Sequence, residues 1–278
     1  MSGKRDQMFE ILSRWPCLAC PVCGEPLSRE GENLSCGRGH SLNVSRQGTV
    51  NCLSAPRKDF YTAELFEARR RVFEAGWYEP AAETIERLLP GEEHRLLDAG
   101  CGEGWYLARL LRRHPGWLGI GLDISKEAIR LAARQEVPAL WGVADLRRMP
   151  LAEGSVTAVL DILTPASYES FGRVLRPDGV LIKVFPGSSY LREIREARGL
   201  PPYDDGQVPA WLRQRARVLA EERVCVTRPV QPEVWADFVR MTPMNAELTP
   251  EERQRLAERP ATAITIDLRV AACSLRNA

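Results

Sequence analysis

Residues 96–104 read Leu-Leu-Asp-Ala-Gly-Cys-Gly-Glu-Gly, an apolar run that closes on an acid and three alternating glycines. An apolar run ending in such a turn predicts a buried strand that hands over to a helix. The turn is not a dinucleotide fingerprint. Its spacing is G-x-G-x-G rather than G-x-G-x-x-G, and Asp98 precedes the first glycine, Gly100. Bare amides in such a loop welcome a pyrophosphate, but Asp98 and Glu103 repel one. A cationic ligand reverses that preference.

Working outward, the same alternation repeats. GWYLARLLRRH reads as an amphipathic helix with Leu107, Leu110 and Leu111 on one face, and GWLGIGLDIS as a second strand ending in Asp123. KEAIRLAARQ is helical, and ALWGVADLRRMPLAEGSVTAVLDIL supplies two further strands, the first ending in Asp145 and the second carrying Asp161. SYESFGRVL predicts a helix, RPDG a turn, and VLIKVF a strand. RVCVTRPV, PEVWADFVRM and ITIDLRVAACSL follow as strand, helix and strand, while LPPYDDGQVPAW reads as loop. The fold class is therefore α/β, a doubly wound Rossmann-like sheet with helices on both faces and its ligand site at the carboxyl ends of the strands. S-adenosylmethionine carries an ammonium and a sulfonium and no phosphate, so acids around the loop suit it. Asp123 is placed to accept both ribose hydroxyls, and Asp145 to meet the adenine amino group.

Ahead of this region lies CLACPVCGEPLSREGENLSCGRGH, residues 17–40. The spacing Cys20-x2-Cys23-x12-Cys36-x3-His40 fits a tetrahedral Cys3His zinc site. Pro21 and Gly24 shape one knuckle, two glycines between Cys36 and His40 shape the other, and Asn33-Leu34-Ser35 suits a hairpin between them. Four protein ligands leave no open position, so one structural Zn2+ is expected. Cys17 shares the x2 spacing with Cys20 but lacks the knuckle residues and is the spare. Cys52, Cys101, Cys225 and Cys273 sit in apolar runs and read as core.

The chain has 278 residues, 44% apolar and 27% charged, with a net charge of +1 and 8 cysteines. That length suits a large domain plus a small one: residues 1–56 as the zinc module and 57–278 as the catalytic domain with its linker helix. No run approaches the roughly 18 apolar residues of a membrane helix. The charged opening lacks an export signal, so a cytoplasmic, thiol-reducing location is expected and no membrane partner. The near-zero net charge carries no nucleic-acid signature by itself.

The order LLDAGCGEG…GLDIS…VAD…RVLRPDGVLIKV resembles the class I S-adenosylmethionine-dependent methyltransferases. Together with CPVCGEPL…CGRGH…QGTVN, EARRRVFEAGWYEP and RMTP, the chain resembles the RlmA family of 23S rRNA guanine-N1 methyltransferases. VLDILTPASYESFGRVL and LIKVFPGSSYLREI look closer to its second, tylosin-resistance subtype, which would imply an antibiotic-resistance role. The resemblance implies that Cys20, Cys23, Cys36 and His40 bind zinc. It also implies that Gly102 and Glu103 form the cofactor loop and that Tyr78 and Tyr190 touch the cofactor. Two places depart from the family: Thr49 in Gly48-Thr49-Val50-Asn51 replaces an aromatic residue, and Met244-Asn245-Ala246 lacks one.

Guanine N1 must shed a proton before it attacks a methyl group, so a general base contributes about 10²–10⁴-fold. Asp161 is the candidate, with a cofactor-side or capping acid as the equal alternative, and Thr164-Pro165 lines the base pocket. The target is expected in a 23S rRNA hairpin, where flipping a base is cheapest. Arg29, Arg38, Arg46, Arg57 and Lys58, with Arg69, Arg70 and Arg71 in the linker helix, are candidates for phosphate contacts. Two other functions compete: methyl transfer to a protein or small molecule, and RNA binding without catalysis. A homodimer is compatible with all of these readings.

Overall fold

The computed structural model describes residues 3–53 and 62–275. Arg57, Lys58 and the 56/57 domain boundary lie outside the described residues. The chain opens with α1 (Lys4–Arg14), then β1 (Ser28–Glu30), β2 (Asn33–Ser35), β3 (Ser41–Asn43) and β4 (Thr49–Asn51). Two helices follow, α2 (Ala63–Glu74) and α3 (Glu79–Leu88). The alternating region runs β5 (Arg95–Ala99), α4 (Trp105–Arg113), β6 (Leu118–Asp123), α5 (Lys126–Ala132), β7 (Ala139–Val143), β8 (Val156–Ile162), α6 (Tyr168–Val174) and β9 (Leu175–Pro186). The remainder is α7 (Arg192–Ala197), α8 (Gln207–Arg215), β10 (Ala216–Pro229), α9 (Pro232–Met241), α10 (Pro250–Ala257) and β11 (Ala263–Leu275).

The main sheet has eight strands in the order β10-β11-β9-β8-β5-β6-β7-β4, parallel except that β11 runs antiparallel to both β9 and β10. Side chains of α3, α4, α5 and α9 pack on one face (Ile85, Leu107, Ile129, Phe238), and those of α1, α6 and α8 on the other (Phe9, Phe171, Leu212). Strands buried on both faces read as continuous apolar runs, which is why β5 to β9 stand out in the sequence. The chain reverses its direction of travel across the sheet between β5 and β8. The carboxyl ends there form the natural ligand crevice.

Four local expectations change. The linker helix is broken in two, because Gly76 takes a φ of +75° and stops α2 before Pro80 opens α3. RPDG is no free turn: it bulges within β9, where Val156 faces Leu175 but Ala158 faces Val180. Part of the expected loop at 200–211 is helical, since Pro209 falls in the first turn of α8, where no N–H is needed. Cys225 is exposed on the edge strand β10 rather than buried, whereas Cys52 and Cys273 are core.

The zinc-ligand segment carries the small sheet β1-β2-β3, with Ser28 opposite Ser35 and Asn33 opposite Asn43. Its last strand, β4, leaves that sheet and joins the large one, pairing Val50 with Gly142 beside β7. Further ties hold the module there. Trp15 Nε1 donates to the Ser155 carbonyl (2.9 Å), Ala19 N to Pro150 (2.9 Å), and Ala152 N to Cys17 (2.8 Å). Among the described residues no helix is long and apolar enough to cross a membrane.

Candidate functional site

The turn after β5 is built by left-handed backbone at Gly100 (φ +77°), Gly102 (+56°) and Gly104 (+78°), conformations that favour glycine. A Cβ at Gly100 would also lie 2.7 Å from Thr164 Oγ1, so this glycine lets the turn meet the loop after β8. Asp123, at the end of β6, ties the turn to the next helix. Its carboxylate accepts from Gly102 N (2.9 Å) and from Ser125 N (2.9 Å).

These pieces floor a cavity of about 240 Å³. Asp98, Gly100, Glu103 and Asp123 contribute its acidic side, and Ile162, Leu163 and Thr164 the rim after β8. Five aromatic rings (Phe66, Phe73, Tyr78, Tyr106 and Tyr190) make the facing wall. Tyr78 and Tyr190 are joined through their hydroxyls at 2.7 Å, and Phe73 meets the edges of Tyr78 (4.8 Å) and Tyr106 (5.4 Å).

Crowding acids out of water keeps them protonated. Burial, with the charges of Asp123 and Glu103 beside it, pushes Asp98 up to about 8. Burial likewise lifts Glu103 to about 7, although the Arg69 guanidinium nearby pulls the other way. Glu103 is 2% exposed, and its carboxylate oxygens find no hydrogen-bond partner in any other described residue. Such a set is a receptor for positive charge.

Of the acids named from sequence, Asp98, Glu103 and Asp123 reach the cavity together with Gly100, Tyr78 and Tyr190, and Gly102 lies in the turn behind them. Asp145 does not line it. Its carboxylate accepts from Arg147 N (3.0 Å) and pairs with the Arg147 guanidinium (3.1 Å), capping the turn at residues 146–148. Asp161 is wholly buried beneath the rim. Lys183 Nζ lies 2.8 Å from Asp161 Oδ2 and donates to the Thr164 carbonyl at 2.6 Å. Burial raises Asp161 to about 6 against the pull of Lys183.

The wall from α2 was missed in the sequence, although a signal was present: Phe66, Arg69 and Phe73 recur at i, i+3 and i+7, one face of a helix. The three consecutive arginines do not form one basic face. Arg71 clamps Asp237 on α9 with two hydrogen bonds (2.6 and 2.8 Å), Arg70 pairs with Glu74 (3.0 Å), and Arg69 turns into the cavity. In the zinc module, Arg38 pairs with Glu25 (2.8 Å), and Arg29 sits 4.2 Å over the Phe9 ring.

Cys20, Cys23, Cys36 and His40 converge, with all ligand atoms within 4.8 Å of one another. Cys23 Sγ lies 3.7 Å from Cys36 Sγ, and His40 Nδ1 lies 3.4 Å from Cys36 Sγ and 3.6 Å from Cys20 Sγ. A tetrahedron with zinc bonds of about 2.3 Å to sulfur and about 2.0 Å to nitrogen has edges of about 3.8 and 3.5 Å, so the site fits the ion. Both knuckles close through amides: Gly24 N donates to Cys20 O and Gly39 N to Cys36 O, each 2.9 Å. Cys17 stays outside the set, fully buried, its thiol pushed up to about 12 by that burial.

The sheet order and the acid-and-aromatic cavity at its switch point define an S-adenosylmethionine-dependent methyltransferase, here fitted with a zinc ribbon. Family comparison agrees: a methyltransferase domain matches residues 96–179, and the RlmA N-terminal zinc ribbon matches residues 18–59. The 23S rRNA (guanine(748)-N(1))-methyltransferase of Streptomyces fradiae is 32% identical over 92% of this chain and 96% of its own length. A Bacillus subtilis protein with a provisional 23S rRNA (guanine-N(1)-)-methyltransferase name is 40% identical over 64% of this chain and 67% of its own. The fold alone is shared with a phosphoethanolamine N-methyltransferase of Haemonchus contortus, at a TM-score of 0.51 and 15% identity, over 80% of this chain and 61% of that one. The chain belongs to the family of 23S rRNA (guanine-N1-)-methyltransferases.

Proposed function

We propose that this protein methylates N1 of a guanine presented in a hairpin loop of 23S rRNA. The observation that carries the reading is the cavity itself: three carboxylates and five aromatic rings line it at the switch point. Such walls suit a cationic methyl donor and not a pyrophosphate. The kinship with the Streptomyces fradiae enzyme supports guanine N1 of 23S rRNA as the target.

When bound, S-adenosylmethionine supplies an electrophilic methyl group on a good leaving group. The chain has only to bind, align and dry the reactants, where positioning contributes roughly 7–11 kcal/mol. Asp123, at the end of β6 on the cavity floor, holds the ribose, while Glu103 and Asp98 face the cationic end. Tyr78 and Tyr190 close the wall, and Asp145 meets the adenine edge once its carboxylate parts from Arg147. Asp161 is buried and does not line the cavity. In this reading it is a positioning residue that holds Lys183 and, through it, the Thr164 carbonyl at the base pocket. The module at residues 1–56 grips RNA, with Arg46, exposed beside β4, as one phosphate contact.

The test is to incubate the protein with methyl-labelled donor and rRNA, then map the label by mass. Label on guanine N1 of a hairpin is expected. Label that survives RNase on a protein or small molecule, or sits on another base atom, overturns the assignment.

A further inference from the structure

Arg69 is the sole cation among the described residues that line the donor cavity, against the carboxylates of Asp98, Glu103 and Asp123. Its guanidinium comes within 3.7 Å of Glu103 Oε2, too long for a charge-assisted hydrogen bond, which closes at about 2.7–2.9 Å. The pair is thus held open. The same guanidinium lies 5.5 Å over the Phe66 ring, and a Cβ on Gly102 would fall 3.0 Å from Arg69 Nη1, so the turn leaves room for it. Its helix is pinned two residues on by the Arg71–Asp237 clamp, which fixes where Arg69 emerges.

An amino-acid end carries an ammonium and a carboxylate on one carbon. A cavity of acids alone would bind the first and repel the second. We propose that Arg69 is the specificity residue for the carboxylate of the methyl donor's amino-acid end, with Glu103 receiving the ammonium beside it. On binding, the ligand's two charges enter the gap and exchange partners with the Arg69–Glu103 pair. This assignment rests on the donor reading above and moves Arg69 from RNA to donor recognition.

The test is calorimetric and needs no turnover. S-adenosylhomocysteine and its decarboxylated counterpart are titrated into the zinc-loaded full chain, and the ratio of their Kd values is taken. The wild type is expected to favour the intact ligand by about 10–100-fold, the worth of one charge-assisted pair. Arg69→Met should bring that ratio to within about threefold of unity, and Arg69→Lys should retain part of it. Because the ratio is internal to each variant, partial misfolding leaves it unchanged. A wild-type ratio near unity, or full discrimination in Arg69→Met, overturns the proposal while leaving the donor reading intact. If the wild type binds neither ligand, the donor reading falls with it.

Discussion

At the scale of single residues, the most consequential property is that two acids of the donor cavity are raised toward neutrality. Glu103 takes up a proton near pH 7 in the free protein because burial outweighs the Arg69 charge. A bound ammonium favours the ionised form, so donor binding expels that proton. Through Glu103, affinity should therefore rise with pH up to about 7, losing up to about tenfold per unit below it. Asp98, raised to about 8, extends the same trend upward. Titrations from pH 5.5 to 8.5 check this, and Glu103→Gln should flatten the lower part of the curve. A pH-independent affinity in the wild type would mean that no cation meets Glu103. The glycines and acids of this turn were legible because turn chemistry and a terminal acid are local facts. The environment of Asp161 was not: its partner Lys183 lies on the next strand, and only the β8–β9 register, with Asp161 opposite Lys183, brings the two together.

At the scale of elements, α2 is the part whose role shifted most. Its run of arginines reads from sequence as a basic cluster of candidate phosphate contacts, but a helix turns each successive residue by about 100°. The three therefore separate into a cavity residue, a local pair and an anchor. The anchor is testable. Arg71→Ala removes the clamp on α9, and because Arg71 is half exposed the loss should be modest, up to about 1 kcal/mol by urea unfolding and smaller in high salt. Since Phe66, Arg69 and Phe73 ride on the same helix, donor affinity should weaken as well. Unchanged stability and affinity together would show that α2 is held by its apolar face alone. The helices and parallel strands were readable from periodicity. The break at Gly76 and the bulge at RPDG were not, because continuous patterning hides a single backbone reversal.

At the scale of the whole molecule, length suggested a large domain plus a small one, and the structure ties the front segment into the large sheet. Leu18 bridges to Leu151, Trp15 reaches Ser155, and β4 occupies the sheet margin. Spacing revealed the metal ligands because a tetrahedron constrains neighbours in sequence. The seam went unseen because a three-residue strand leaves no pattern. Metal removal should consequently be felt beyond the ribbon. Chelation at neutral pH is expected to lower the Tm of the entire chain, with no separate transition for residues 1–53, and zinc but not magnesium should restore it. An independent low-temperature transition for the front segment would contradict this.

The placement of β4 has one more consequence. β7 would otherwise present its outer N–H and C=O groups to solvent along an apolar margin, and such a margin recruits other chains. The ribbon thus acts as a guard rail on an adhesive border. A polypeptide synthesised without its metal would be drawn into clumps, and scarcity of zinc would be registered first as lost solubility.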